Sequence, residues 1–168
     1  MTEVQPIEKY RELVREFDDA MLVSVDAEGH LRGRPMRIVA HARDASDDLW
    51  FVTGVDSEKL EEIFQDPRVA VTLADGKRFL SISGDARPVV DAAMIAAMWQ
   101  ESWKLWFPEG PQSGRIALIQ VLPIHAEYWD RSFPHGLRFA IEAAKAYLEH
   151  KRVDEPNEPE QHGKVRLA

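Results

Sequence analysis

The chain reads as a mainly β protein with flanking helices, built around a six-stranded antiparallel barrel. Two observations lead there. Six segments carry β-branched or alternating apolar residues: 20–25, 31–40, 49–53, 68–74, 78–90 and 115–130. Turn chemistry separates several of them, with Asp26-Ala27-Glu28-Gly29 and Asp75-Gly76 as hairpin turns. Short strands at this spacing favour a small antiparallel barrel over a doubly wound sheet. Closure also removes the exposed edges that six such strands would otherwise present.

Each element has its own signal. Ile7, Tyr10, Leu13, Val14 and Phe17 recur at helical spacing, which predicts a helix over 6–17. In the second strand, period two puts Arg32, Arg34, Met36 and Ile38 on one face. Pro35 marks an edge or a bulge there. A helix is expected from Asp56 or Ser57 to about Gln65, stopped by Asp66-Pro67. Asp91 caps a helix predicted to run to about Leu105. The last barrel strand is expected to bend at Pro123, and a final helix to span 137–151. Residues 1–150 are thus expected to form a single domain with N- and C-terminal helices. Residues 151–168 are rich in Pro, Glu and Lys, and are expected to be a mobile tail.

Composition narrows the function classes. The net charge of −8 argues against a nucleic-acid or anionic-membrane partner, which would want a basic surface. There is no cysteine, so no disulfide, thiolate metal site or thiol nucleophile. Met1-Thr2-Glu3-Val4 is polar, without a signal-like apolar core, and no stretch suits a bilayer. A cytoplasmic location is expected.

The sharpest chemical signal lies at the end of the third strand. Thr53 and Gly54 close the strand, and Ser57 and Lys59 open the helix that follows. A helix start has unpaired N–H groups and a partial positive charge. Two hydroxyls and an ammonium make that an anion site, and phosphate is the usual occupant. Arg34 could add a fork-shaped cation. The plainer alternative is that Asp56 and Ser57 only cap the helix. Asp56 would also compete with an anion for the same donors.

Other candidates are weaker. Trp99, Trp103 and Trp106 fall at i, i+4 and i+7, which reads as a buried stripe or a dimer contact. His125, Glu127 and Trp129 share a strand face, but no paired-His motif accompanies them, and no metal is assigned. There is no Gly-x-Ser-x-Gly elbow, phosphate loop or dinucleotide fingerprint. No catalytic residue is singled out.

With this order of elements, the sequence resembles the FMN-binding split-barrel superfamily that includes pyridoxamine 5'-phosphate oxidase, and within it the general stress protein 26 group. The residues that carry the resemblance include Met21-Leu22-Val23-Ser24-Val25-Asp26, Arg32-Gly33-Arg34-Pro35-Met36, Leu49-Trp50-Phe51-Val52-Thr53, Ser57-Glu58-Lys59, Asp66-Pro67-Arg68-Val69, Ile82-Ser83-Gly84, Trp106-Phe107-Pro108 and Glu127-Tyr128-Trp129-Asp130. The resemblance implies an FMN cofactor at the seam of a homodimer. It implies that Arg34, Pro35 and Met36 start the phosphate and ribityl site, and that Thr53, Ser57 and Lys59 reach the phosphate. It also implies that Trp106 and Phe107 lie near the flavin ring of the partner subunit. Two departures matter. Glu58 stands where the oxidases carry a basic residue, and the C-terminal Arg/His segment of the true oxidases has no counterpart. The implied function is a flavin-dependent oxidoreductase acting on an unknown small substrate, and not a true pyridoxamine 5'-phosphate oxidase. The alternative is a non-catalytic flavin-binding or stress-response protein.

Overall fold

Strand alternation decides which residues meet. β1 (Asp19–Val25) buries Ala20, Leu22 and Ser24 on one face. β4 (Arg68–Ala74) does the same with Val69, Val71 and Leu73, and β5 (Arg78–Val89) with Leu80, Ile82 and Ala86. A computed structural model describes residues 5–41, 46–132, 144–145, 147–149 and 161–168. The other described elements are α1 (Pro6–Val14), β2 (Leu31–His41), β3 (Leu49–Gly54), α2 (Glu58–Gln65), α3 (Ala92–Met98), a 3-10 helix (Glu101–Leu105), β6 (Ile116–Asp130) and β7 (His162–Arg166).

Neighbouring strands run in the order β3-β2-β1-β4-β5-β6, and β3 pairs back onto β6. That closes the six-stranded antiparallel barrel expected from the sequence. Gly29 takes φ +85° in the β1–β2 hairpin, the conformation a tight turn demands. Residues 31–37 of β2 pair with β1 alone, so Pro35 sits where the strand has an open side.

Inward residues of all six strands form the main core, which α1 joins through Tyr10, Leu13 and Val14 and α2 through Leu60 and Ile63. Each fully buried side chain of this kind contributes about 1.5–3 kcal/mol of transfer free energy. A second apolar cluster lies on the other side of β3 and β6. It joins Val39, Trp50, Ile116 and Leu118 to Ile95 and Trp103. The two clusters follow from alternation along β3: Leu49 and Phe51 face the barrel, whereas Trp50 and Val52 face out.

β6 does bend near Pro123. Its pairing with β5 slips between Ser83 and Gly84, so that Ile124 is an extra, bulged residue. The approach is close enough that a Cβ on Gly84 would overlap the Leu122 carbonyl. The Ile124 carbonyl accepts the Leu167 N–H at 2.8 Å. Beyond the bulge, β6 exchanges β3 for β7 as its neighbour.

Three expectations are corrected. The first helix ends at Val14, and Phe17 is buried from the turn that follows. The helix after Asp91 is not continuous. Asp91 caps it by accepting the Met94 N–H at 2.7 Å, but Trp99 adopts φ −54° and ψ 135°, and a separate 3-10 turn follows. Trp99, Trp103 and Trp106 therefore do not share one helical face. Residues 162–166, inside the segment read as a mobile tail, form strand β7 antiparallel to β6. The Asp130 N–H donates to the Gln161 carbonyl at 2.7 Å where that pairing begins. The final helix expected over 137–151 lies largely outside the described residues.

Candidate functional site

The start of α2 gathers the residues the sequence singled out. Thr53 is the third inward residue of β3 after Leu49 and Phe51, and is only 6% exposed. Two residues of turn follow Gly54, and Ser57 is the N-cap of α2. The Ser57 side chain makes no capping hydrogen bond. Its hydroxyl instead accepts from the Thr53 hydroxyl at 3.1 Å. Lys59 Nζ donates to Thr53 Oγ1 at 2.9 Å. Two hydroxyls and an ammonium thus converge beside an uncapped helix start.

The electrostatics of this cluster are those of a cation with a neutral partner. Among the described residues, Lys59 has no carboxylate within ion-pair distance. Burial, and then the charge of Arg34, push the Lys59 pKa below that of an ordinary lysine, with Glu62 and Glu58 acting the other way. An anion placed here would relieve both penalties, so the donor set suits a phosphate group.

Arg34 is near but differently engaged. It donates to the Ser24 hydroxyl at 2.5 Å and to Glu62 Oε2 at 2.8 Å. Ser24 in turn donates to the same carboxylate oxygen at 2.5 Å. Burial works to raise the Glu62 carboxyl, but hydrogen bonds from Ser24 and Arg34 outweigh it and hold the group below the ordinary glutamate range. Sequence reasoning missed Ser24 and Glu62. The signal for Ser24 was present, as a hydroxyl on the inward face that Ala20 and Leu22 define. Glu62 gave none beyond its place one residue before the buried Ile63.

The other expected site residues lie apart. Met36 packs against the main core, and Pro35 is exposed on the opposite side of β2. Phe107 packs on the outer cluster with Trp50 and Trp103, whereas Trp106 is 67% exposed. Thr53 belongs to the inward face of β3 and Phe107 to the outer one. Within one chain, Phe107 therefore packs away from the Thr53-Ser57-Lys59 cluster.

Asp26, Glu28 and His30 converge in the β1–β2 hairpin. There the Asp26 carboxylate accepts the backbone N–H groups of Glu28 and His30, at 3.1 and 2.8 Å, which is turn chemistry. On β6 and β7, His162 stacks on Trp129 with ring centroids 5.4 Å apart, and its Nε2 lies 2.8 Å from Glu127 Oε1. Among the described residues, no helix is long and apolar enough to cross a membrane.

Comparison with known proteins agrees with this architecture. A structure from Jannaschia sp. CCS1 assigned to general stress protein 26 is 19% identical, with 95% of this chain and 97% of that one covered and a TM-score of 0.69. The general stress protein 26 of Bacillus anthracis str. Sterne is 22% identical over 72% of this chain and 91% of that one, with a TM-score of 0.62. The general stress FMN/FAD binding protein from Xanthomonas citri is 26% identical over 74% of this chain and 88% of that one, with a TM-score of 0.63. No curated protein matches. The family model for "Pyridoxamine 5'-phosphate oxidase like" proteins matches residues 5–154. With that match spanning the whole barrel, and with the fold of the general stress protein 26 structures, the chain belongs to the pyridoxamine 5'-phosphate oxidase like family.

Proposed function

We propose that this chain binds FMN and works as a flavin-dependent oxidoreductase on a small substrate. One observation carries the reading: Thr53, Ser57 and Lys59 converge at a helix start whose N-cap hydroxyl is turned away from capping. Family membership and the FMN/FAD-binding relative support the flavin. FMN, when bound, would supply the electron chemistry. The protein's part is to hold and shield. Lys59 Nζ, the two hydroxyls and the α2 N–H groups would take the phosphate, and Arg34 would add its unused N–H groups. No side-chain acid or base is needed for hydride transfer to a stacked flavin, and none is assigned here.

Phe107, which follows Trp106 in the chain, packs on the other side of β3 from Thr53, so this pair is read as serving the ring of a second copy. The reading therefore includes a homodimer in which each copy lends this pair to the other, in the cytoplasm. It excludes true pyridoxamine 5'-phosphate oxidase activity, since β7 does not carry the Arg/His pattern of that enzyme's C-terminal segment.

The test is an absorption spectrum of the purified protein, mass spectrometry of what denaturation releases, and FMN titration of the stripped protein. Flavin bands and released FMN are expected. A colourless protein that also fails to bind added FMN would sink the proposal. NAD(P)H-dependent flavin reduction well above that of free FMN separates the enzyme from a flavin-binding stress-response protein without turnover.

A further inference from the structure

We infer that Glu62 is an internal counter-charge that sets how tightly the α2 site holds a phosphate. The inference rests on the phosphate reading above. Arg34 and Lys59 are the two cations of the site, and Glu62 is the buried carboxylate among them, 8% exposed. Its Oε2 lies 2.8 Å from Arg34 and 2.5 Å from the fully buried Ser24 hydroxyl. The Arg34 fork therefore spends one edge on protein partners: one N–H on Ser24, one on Glu62. The remaining N–H groups of the guanidinium are left for a ligand.

Charge counting gives the consequence. With Glu62 ionised, the three groups sum to one positive charge, where two cations alone would sum to two. Arg32, Asp56 and Glu58 around the site are exposed, where water and salt screen them. Glu62 is held ionised by its two donors, so this reduction persists at neutral pH. The pair does more than pin α2 to β1 and β2. It fixes the Arg34 guanidinium beside α2 and also subtracts from its pull on an anion. The site is built for a phosphate that binds and exchanges, with affinity held below what its cations allow.

The experiment is fluorescence titration of FMN and riboflavin against the full chain at neutral pH and two salt concentrations. Glu62→Gln keeps a hydrogen-bond acceptor and removes the charge. It should tighten FMN by about five- to tenfold, steepen its salt dependence and leave riboflavin unchanged. A purely structural role would change thermal stability and leave the FMN-to-riboflavin ratio alone. Removing a carboxylate beside a half-buried arginine can unfold a protein. The same comparison is therefore made between Arg34→Lys, which keeps a cation beside Glu62, and the double variant Arg34→Lys/Glu62→Gln, in which the ammonium on its flexible stem can turn to water. There too, loss of the carboxylate should tighten FMN. FMN affinity that stays equal or weakens in both comparisons overturns the inference alone. Equal wild-type affinity for FMN and riboflavin overturns the phosphate reading and this inference with it.

Discussion

The two faces of β3 differ in what they finish. The inner face runs Leu49, Phe51, Thr53 and ends in the hydroxyl–ammonium cluster at α2. The outer face runs Trp50, Val52 and ends under α3 and the 3-10 turn, in a cluster of tryptophans and Phe107. One face offers donors to an anion; the other offers rings. FMN needs both, since it carries a phosphate at one end and an aromatic system at the other. A single strand cannot present both to one ligand, because its pleat sends neighbouring residues to opposite sides. This division is what supports the proposed pairing of two copies at one site.

The largest effect should come from the outer face. Trp103 is 2% exposed, and Trp103→Ala should lower unfolding free energy by about 3–5 kcal/mol in a denaturant titration. A loss under about 1 kcal/mol would mean the outer cluster is loosely packed and the contrast between faces is misdrawn. The ligand itself gives the next largest effect. Riboflavin lacks the phosphate, so it should bind roughly 100-fold more weakly than FMN, the loss of two charge-assisted contacts after partial compensation by water. Equal affinities would mean that the inner face ends in an ordinary helix start. Lys59→Ala should weaken FMN by roughly tenfold and keep the thermal midpoint close to that of wild type. Unchanged FMN affinity in both Lys59→Ala and Arg34→Ala would remove the inner face from the site. The smallest effect concerns Trp106. Being mostly exposed, Trp106→Ala should move stability by no more than about 0.5 kcal/mol. It should nonetheless weaken flavin binding or dimerisation. A wild-type chain that sediments as a monomer at tens of micromolar would refute the exchange of rings between copies.

Much of this contrast was legible in the sequence, because alternation and turn chemistry are local. The six barrel strands, the stop at Asp66-Pro67 and the bend near Pro123 all came from residues within one element. The Thr53-Ser57-Lys59 cluster joins two elements but spans only seven positions, so it too was local. What escaped depended on distant partners. Arg34 looked like a free cation because Glu62, 28 residues on, left no mark of pairing. Strand β7 looked like tail because Val165 is its one deeply buried residue, and its partner β6 lies more than thirty residues upstream. The break at Trp99 escaped for another reason. Ala and Met favour helix so strongly that propensity masked the tertiary demand that seats Trp103 on the outer cluster.

The hydrogen bond from Asp130 to Gln161 has a consequence for how this protein can be altered. Asp130, the last residue of β6, and Gln161, just before β7, are thirty-one positions apart in sequence and are joined by this one backbone contact of 2.7 Å. Closing a loop between fixed ends grows more expensive only logarithmically, by about 0.6 kcal/mol for each doubling of its length. The barrel and the α2 site therefore place little constraint on how long that connection is. By that arithmetic, a foreign domain spliced between these two anchor points should cost the barrel little.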